Sequence, residues 1–202
     1  LGRPFGGGRL AAGRPGLSGR AARAPYNWRL LAPAQAAIEN APPLMTPAIN
    51  KPLPEFEALA TGGVKITPQT FQGQAVVLYF YPKDHTPGCT TEAMQFRDRY
   101  KDFVKAGALV FGVSRDNMAS HEKFKANLEL PFELIADTEE KLCHMFGVVK
   151  NKIMYGKKVK GIERSTFLID ATGVLRAEWR GIKVAGHVDE VLKAVKVLKK
   201  AA

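Results

Sequence analysis

The feature that most restricts the fold of this sequence is the run Val76-Val77-Leu78-Tyr79-Phe80-Tyr81, six residues without a polar break. A β-branched and aromatic stretch of that length reads as a strand that is apolar on both faces. Such a strand must be covered from both sides. Pro82 cannot donate to a ladder and ends the run, and Thr86-Pro87-Gly88 supplies a turn. Ala93, Phe96, Tyr100, Phe103 and Val104 then recur at helical spacing. A second buried strand is expected over 108–114. A helix follows over 117–128, with Asn117 or Asp116 able to cap it, then a short strand at 134–136 and a short helix at 138–146.

The pattern then changes. The segments 165–169 and 174–180 flank Asp170-Ala171-Thr172-Gly173, a hairpin signal. In the second of these strands Leu175, Ala177 and Trp179 alternate with Arg176, Glu178 and Arg180, so one face is wet. The last helix lines up Val188, Val191, Leu192, Val195 and Leu198. A βαβα order closed by a hairpin and a helix predicts an α/β fold: a thioredoxin-like mixed β-sheet with helices on both faces. It forms one domain over residues 45–202.

Composition matters at two points. No stretch approaches the roughly 18 apolar residues of a membrane-spanning helix, and two cysteines are too few for a disulfide scaffold. The expectation is a soluble, intracellular chain. Its formal charge of +11 is unevenly placed: residues 1–44 hold six Arg, no Lys and a single acid, Glu39, and so contribute +5. That segment also holds seven Gly, six Pro and ten Ala, with almost no apolar periodicity. It reads as a disordered N-terminal extension, because it cannot bury enough surface to offset the entropy of ordering. Three origins fit: sequence upstream of a true start at Met45, an organelle-targeting segment, or a functional tail. Location is accordingly cytoplasmic, or organellar if residues 1–44 are a targeting segment.

The chemistry concentrates in Pro82-Lys83-Asp84-His85-Thr86-Pro87-Gly88-Cys89, where the buried strand gives way to a helix. A cysteine on the first turn of a helix meets unpaired backbone N–H groups and the positive end of the helix dipole. Both favour thiolate, the nucleophilic form. Free cysteine is otherwise a small buried hydrophobe as often as not. Two prolines, a glycine and the Thr86 hydroxyl around Cys89 favour the reactive reading.

Tyr79-Phe80-Tyr81-Pro82, Thr86-Pro87-Gly88-Cys89-Thr90 and Phe96-Arg97-Asp98 together resemble the peroxiredoxins of the bacterioferritin-comigratory-protein (peroxiredoxin Q) subfamily. The Pro-x-x-x-Thr-x-x-Cys motif is met by Pro82, Thr86 and Cys89. The likeness runs on through Gly112-Val113-Ser114, Leu130-Pro131-Phe132, Tyr155-Gly156 and 163–170 to Gly186-His187, over about residues 48–198. It implies a thiol-dependent peroxidase that needs neither metal nor haem. Cys89 would attack the O–O bond of hydrogen peroxide or an organic hydroperoxide and become a sulfenic acid. Arg164 would stabilise the thiolate and the developing oxyanion. Thr86 would hydrogen-bond thiolate and peroxide, and Pro82 would shape the pocket and keep water out.

One position departs from the subfamily. Many members carry a resolving cysteine five residues after the first, where this chain has Met94. Cys143 is the other thiol, and Leu142, Met145 and Phe146 around it have core spacing, so a buried, inert side chain is expected. A resolving role is the sharper alternative. Without one, an external small thiol or a thioredoxin-like protein must reduce the sulfenic acid. A monomer or weak dimer is expected, with no membrane or nucleic-acid partner.

Competing signals are incomplete. There is no Cys-x-x-Cys, Gly156–Gly161 lacks the Lys-[Ser/Thr] of a phosphate loop, and His121-Glu122 lacks the second histidine of a zinc helix. The acid-free run Lys150, Lys152, Lys157, Lys158 and Lys160 reads as a solvated loop. A thioredoxin-fold binding protein with a basic surface is the rival reading, but no aromatic–basic stacking surface accompanies the charge.

Overall fold

The computed structural model describes residues 46–154 and 157–201, and the side chains of all of these except 152–159 and 201. The expected N-terminal disorder and the Tyr155-Gly156 match lie outside the described residues.

Seven strands form one mixed sheet: β1 (Ala58–Ala60), β2 (Val64–Ile66), β3 (Ala75–Phe80), β4 (Ala108–Ser114), β5 (Glu133–Ala136), β8 (Ser165–Ile169) and β9 (Leu175–Arg180). Their spatial order is β2-β1-β5-β4-β3-β8-β9. β3, β4 and β5 run parallel, connected by helices α1 (Pro87–Lys105) and α2 (Met118–Leu128), while β8 and β9 add antiparallel beside β3. A five-residue helix α3 (Lys141–Met145) follows β5, and α4 (His187–Ala201) closes the chain.

The alternation along β3 explains the two-layer cover. Val76, Leu78 and Phe80 point to one core cluster, shared with Leu142, Cys143 and Phe146. Val77, Tyr79 and Tyr81 point to the other, shared with Cys89, Ala93 and Phe96 of α1 and with Val188 and Val191 of α4. All six side chains are buried, at roughly 1.5–3 kcal/mol apiece for the apolar ones. The two cysteines therefore lie on opposite faces of the sheet.

Three expectations are refined. Asn117, not Asp116, caps α2: its side chain accepts from Ser120 N at 2.9 Å. The helix expected over 138–146 is shorter, because Glu140 takes a left-handed φ of 58° and α3 starts only after it. The lysine run is not a loop. It forms an antiparallel hairpin of β6 (Val149–Met154) and β7 (Lys157–Ile162), with Val149 paired to Ile162 at its base. In sequence Val149, Ile153, Val159 and Ile162 interleave with the lysines, and β-branched residues of this kind favour strands.

Gly112 on β4 is held by contact rather than conformation. It pairs with Tyr79 and Leu134 on its two neighbours. A β-carbon there would stand 2.7 Å from the Tyr79 hydroxyl and 2.7 Å from Leu134 Cδ2. Tyr79 cannot retreat, since its ring stacks on Phe96 at 4.5 Å and on Tyr81 at 5.5 Å. Gly112→Ala is expected to destabilise the fold by ~1–3 kcal/mol, read by urea unfolding. A midpoint equal to that of the parent protein would show that the ring gives way.

Candidate active site

The loop from Pro82 to Thr86 carries the chain from β3 into α1, and its shape is fixed from beneath by Asp84. This carboxylate is buried and accepts from Tyr81 Oη at 2.8 Å and Ser120 Oγ at 2.7 Å, with His121 Nδ1 at 2.9 Å. Burial alone would push its pKa up, but the hydrogen bonds from His121, Ser120 and Tyr81 outweigh that and hold it below the ordinary value. Asp84 N in turn donates to Asp116 Oδ2 at 2.9 Å, tying the loop to the end of β4. His121 is thus a loop anchor. Sequence reasoning missed both its role and that of Asp84, because only the fold brings α2 under the loop.

Thr86 is the residue before α1, Pro87 the first helical residue and Cys89 the third. The first hydrogen bond inside the helix runs from Thr90 N to Thr86 O at 2.9 Å. The N–H groups of Gly88 and Cys89 consequently fall in the turn where a helix supplies no acceptors, beside the Cys89 sulfur. That sulfur is nearly enclosed, Cys89 being 1% exposed. Pro82 is half-buried at the head of the loop.

Arg164 enters from the two-residue link between β7 and β8. Its Nη2 donates to Cys89 Sγ at 3.3 Å, and its Nη1 pairs with Glu92 Oε2. Cys89 and Arg164, 75 residues apart in sequence, are brought into direct contact. Burial works against the guanidinium charge, yet its interactions with Glu92 and Cys89 more than compensate and raise the Arg164 pKa.

Thr86 is placed differently from expectation. Its hydroxyl donates to Lys83 O at 3.0 Å, and no hydrogen bond joins it to Cys89. The threonine turns back over its own loop, which leaves its oxygen as an acceptor.

Glu92 was not anticipated from sequence. It sits three residues after Cys89, hence on the same helix face, but nothing in the sequence says that an arginine arrives there from β7. It is wholly buried, and burial pushes its pKa up to about 7 even against the opposing pull of Arg164. His187, at the start of α4, hydrogen-bonds Thr166 Oγ1 through Nε2 at 2.8 Å, and burial lowers its pKa to about 4.

Cys143 is fully buried against the opposite face. Asp137 holds the start of α3, accepting from Cys143 N at 2.7 Å and Leu142 N at 3.1 Å. Burial, reinforced by the Asp137 charge, pushes the Cys143 thiol far above the ordinary cysteine range. Met94 is 37% exposed on α1, and His85 faces solvent with its ring edge on Phe124. Among the described residues, no helix is long and apolar enough to cross a membrane.

Known proteins resemble this chain in sequence and in fold. The AhpC/TSA family model matches residues 49–178. Peroxiredoxin Bcp of Xanthomonas campestris pv. campestris is 51% identical over 136 residues, 67% of this chain and 85% of its own length. Peroxiredoxin Bcp of Bacillus subtilis is 47% identical over 152 residues, 75% of this chain and 97% of its own. The bacterioferritin comigratory protein of Xanthomonas campestris was solved in trapped intermediate and ligand complexes that concern its alkyl peroxide reduction activity. It superposes with a TM-score of 0.69 at 47% identity, covering 71% of this chain and 92% of that one. The likeness thus extends over most of the described sheet and the helices that cover it. The chain belongs to the AhpC/TSA family and is a thiol-dependent peroxidase of the peroxiredoxin kind.

Proposed function

We propose that Cys89 is the peroxidatic nucleophile and that the substrates are hydrogen peroxide and organic hydroperoxides. The observation that carries this reading is the 3.3 Å approach of Arg164 Nη2 to Cys89 Sγ at a helix start. The thiolate attacks the outer peroxide oxygen, an S–O bond forms, the O–O bond breaks, and the alkoxide or hydroxide leaves to be protonated. Arg164 holds the thiolate and then meets the charge that moves onto the leaving oxygen. The N–H groups of Gly88 and Cys89 offer donors to the oxygen under attack. The Thr86 oxygen, its proton committed to Lys83, accepts from the peroxide O–H. Pro82 walls the pocket against water. The alkyl peroxide activity of the Xanthomonas relative supports hydroperoxides bulkier than hydrogen peroxide as substrates.

The test is peroxide consumption with dithiothreitol, together with intact mass after one equivalent of peroxide. Cys89 should gain one oxygen. Peroxide consumption without modification of Cys89 would refute the assignment.

We further propose that recycling is external, by a small thiol or a thioredoxin-like protein, in a monomer or weak dimer of the cytoplasm. Cys143 lies across the sheet from Cys89, and a disulfide requires Cα atoms within about 7 Å. Reaching Cys89 would draw Leu142, Met145 and Phe146 out of the core as well. Cys143→Ala is expected to keep most of its dithiothreitol-supported turnover. Loss of that turnover, with a stoichiometric Cys89–Cys143 bond in the oxidised parent protein, would establish an internal resolving step instead.

A further inference from the structure

Two buried side-chain polar atoms, Glu92 Oε1 and the Tyr79 hydroxyl, have no hydrogen-bond partner among the described residues. Both belong to the surroundings of Cys89: Tyr79 feels the charges of Glu92, Asp84, Cys89 and Arg164. One guanidinium thus serves two groups able to be anions, Cys89 through Nη2 and Glu92 through Nη1. An ionised carboxylate with one oxygen unpaired in the core is costlier than the neutral acid, whose carbonyl oxygen accepts from Arg164 and which leaves a single uncharged O–H without a partner.

From this geometry we infer that Glu92 is a redox-linked proton store, protonated while Cys89 is a thiolate and ionised once Cys89 has become a sulfenic acid. The inference rests on the peroxidatic role of Cys89. The oxidative half-reaction then balances within the site. Cys89 thiolate, ROOH and the Glu92 carboxylic acid give Cys89 sulfenic acid, ROH and the Glu92 carboxylate. Two electrons pass from sulfur to the peroxide oxygens, and the leaving alkoxide is neutralised at the net expense of the Glu92 proton. Arg164, released from its duty to the thiolate, pairs with the new carboxylate, so the enclosed site carries the same net charge before and after. On recycling, a first external thiol condenses with the sulfenic acid, releasing water and leaving a mixed disulfide. A second thiol then displaces Cys89 as a thiolate, and the proton set free returns to Glu92.

Among the described residues no neighbouring group competes for this role. The titratable or charged groups around Glu92, again among the described residues, are Cys89 on its own helix, Tyr79 from β3, Arg164 from the β7–β8 link and, beyond Arg164, His187 from the start of α4. Burial holds Tyr79 in its phenol form and His187 neutral well below pH 6. Asp84, farther along the loop, is committed to Tyr81, Ser120 and His121. Glu92, raised to about 7 by burial, is protonated on the acid side of neutrality, where the store is full.

The experiment is an infrared difference spectrum of the protein near pH 6, oxidised minus reduced, after one equivalent of hydrogen peroxide, with intact mass recorded on the same sample. The expected result is loss of a protonated carboxylic C=O band and gain of carboxylate bands. Glu92→Gln should lack both changes and, where its Cys89 is ionised, take up about one proton per cysteine from solution, read with a pH indicator in weak buffer. The parent protein should take up almost none. A site in which Cys89 gains its oxygen while no carboxyl band changes overturns the proton store and leaves the peroxidatic assignment standing. Failure of Cys89 to gain oxygen would instead strike the assignment itself. Should Glu92→Gln not fold, the spectrum of the parent protein alone decides.

Discussion

Cys89→Ser is expected to reduce peroxide consumption to that of the buffer and reductant alone while leaving the melting temperature close to that of the parent protein. The chemical half of this expectation follows from what is attacked. A peroxide oxygen yields to a polarisable anion, and a serine hydroxyl at a helix start remains protonated at neutral pH, so no nucleophile is left. The structural half follows from the small change made. Serine occupies nearly the same volume, and its oxygen can accept the Arg164 Nη2–H now given to sulfur. What is lost is a hydrophobic contact in a cluster that still holds Tyr79, Ala93 and Phe96. Activity with dithiothreitol, together with melting by circular dichroism, checks both halves. A variant that still consumes peroxide would remove Cys89 from the mechanism, and one that unfolds would show that the sulfur is needed for packing.

How much of this was legible beforehand depended on whether the signal was local. β3, β4 and the helices after them announce themselves through unbroken apolar runs and helical spacing, and the hairpin β8–β9 through the turn at Gly173, where φ is 82°. The reactive helix start is local too, since Pro82, Thr86 and Cys89 lie within eight residues. β1 and β2 were missed. Each is three residues long, too short for a period to show; β2 is the edge strand and pairs with β1, and β1 joins the sheet through β5 from farther along the chain. The pairing of Arg164 with Cys89 was available from family likeness, not from physics, because two strands and a hairpin intervene. The Glu92 contact was available from neither. It needs the phase of α1 and the direction of the β7–β8 link together, and a buried glutamate in a helix reads on sequence alone as a solvated one. The same limit explains Asp84 and His121, which look like loop and surface residues until α2 is laid beneath the loop.

Arg164→Ala is expected to lower the second-order rate of reaction with peroxide by ~10²–10³-fold, the range found when one fixed charge-stabilising donor is removed from an enclosed site. The guanidinium acts twice: it favours the anion at Sγ before attack and opposes the charge that builds on the leaving oxygen after it. Both actions depend on two N–H groups held in one plane, Nη2 toward Cys89 and Nη1 toward Glu92. Arg164→Lys should therefore recover only part of the rate, because a single ammonium cannot hold both partners in that geometry. The fold should tolerate either change better than a buried ion pair would suggest. With the cation gone, Glu92 loses the one influence that holds its pKa down and remains a neutral acid at physiological pH, so no uncompensated charge is left in the core. Stopped-flow peroxide kinetics and the rate of iodoacetamide alkylation at neutral pH measure the two actions separately. Slower alkylation with an unchanged ratio of peroxide to alkylation rate would assign Arg164 to thiolate formation alone. A fall in that ratio would show the leaving-oxygen contribution, and unchanged kinetics in both assays would make the 3.3 Å contact a packing detail.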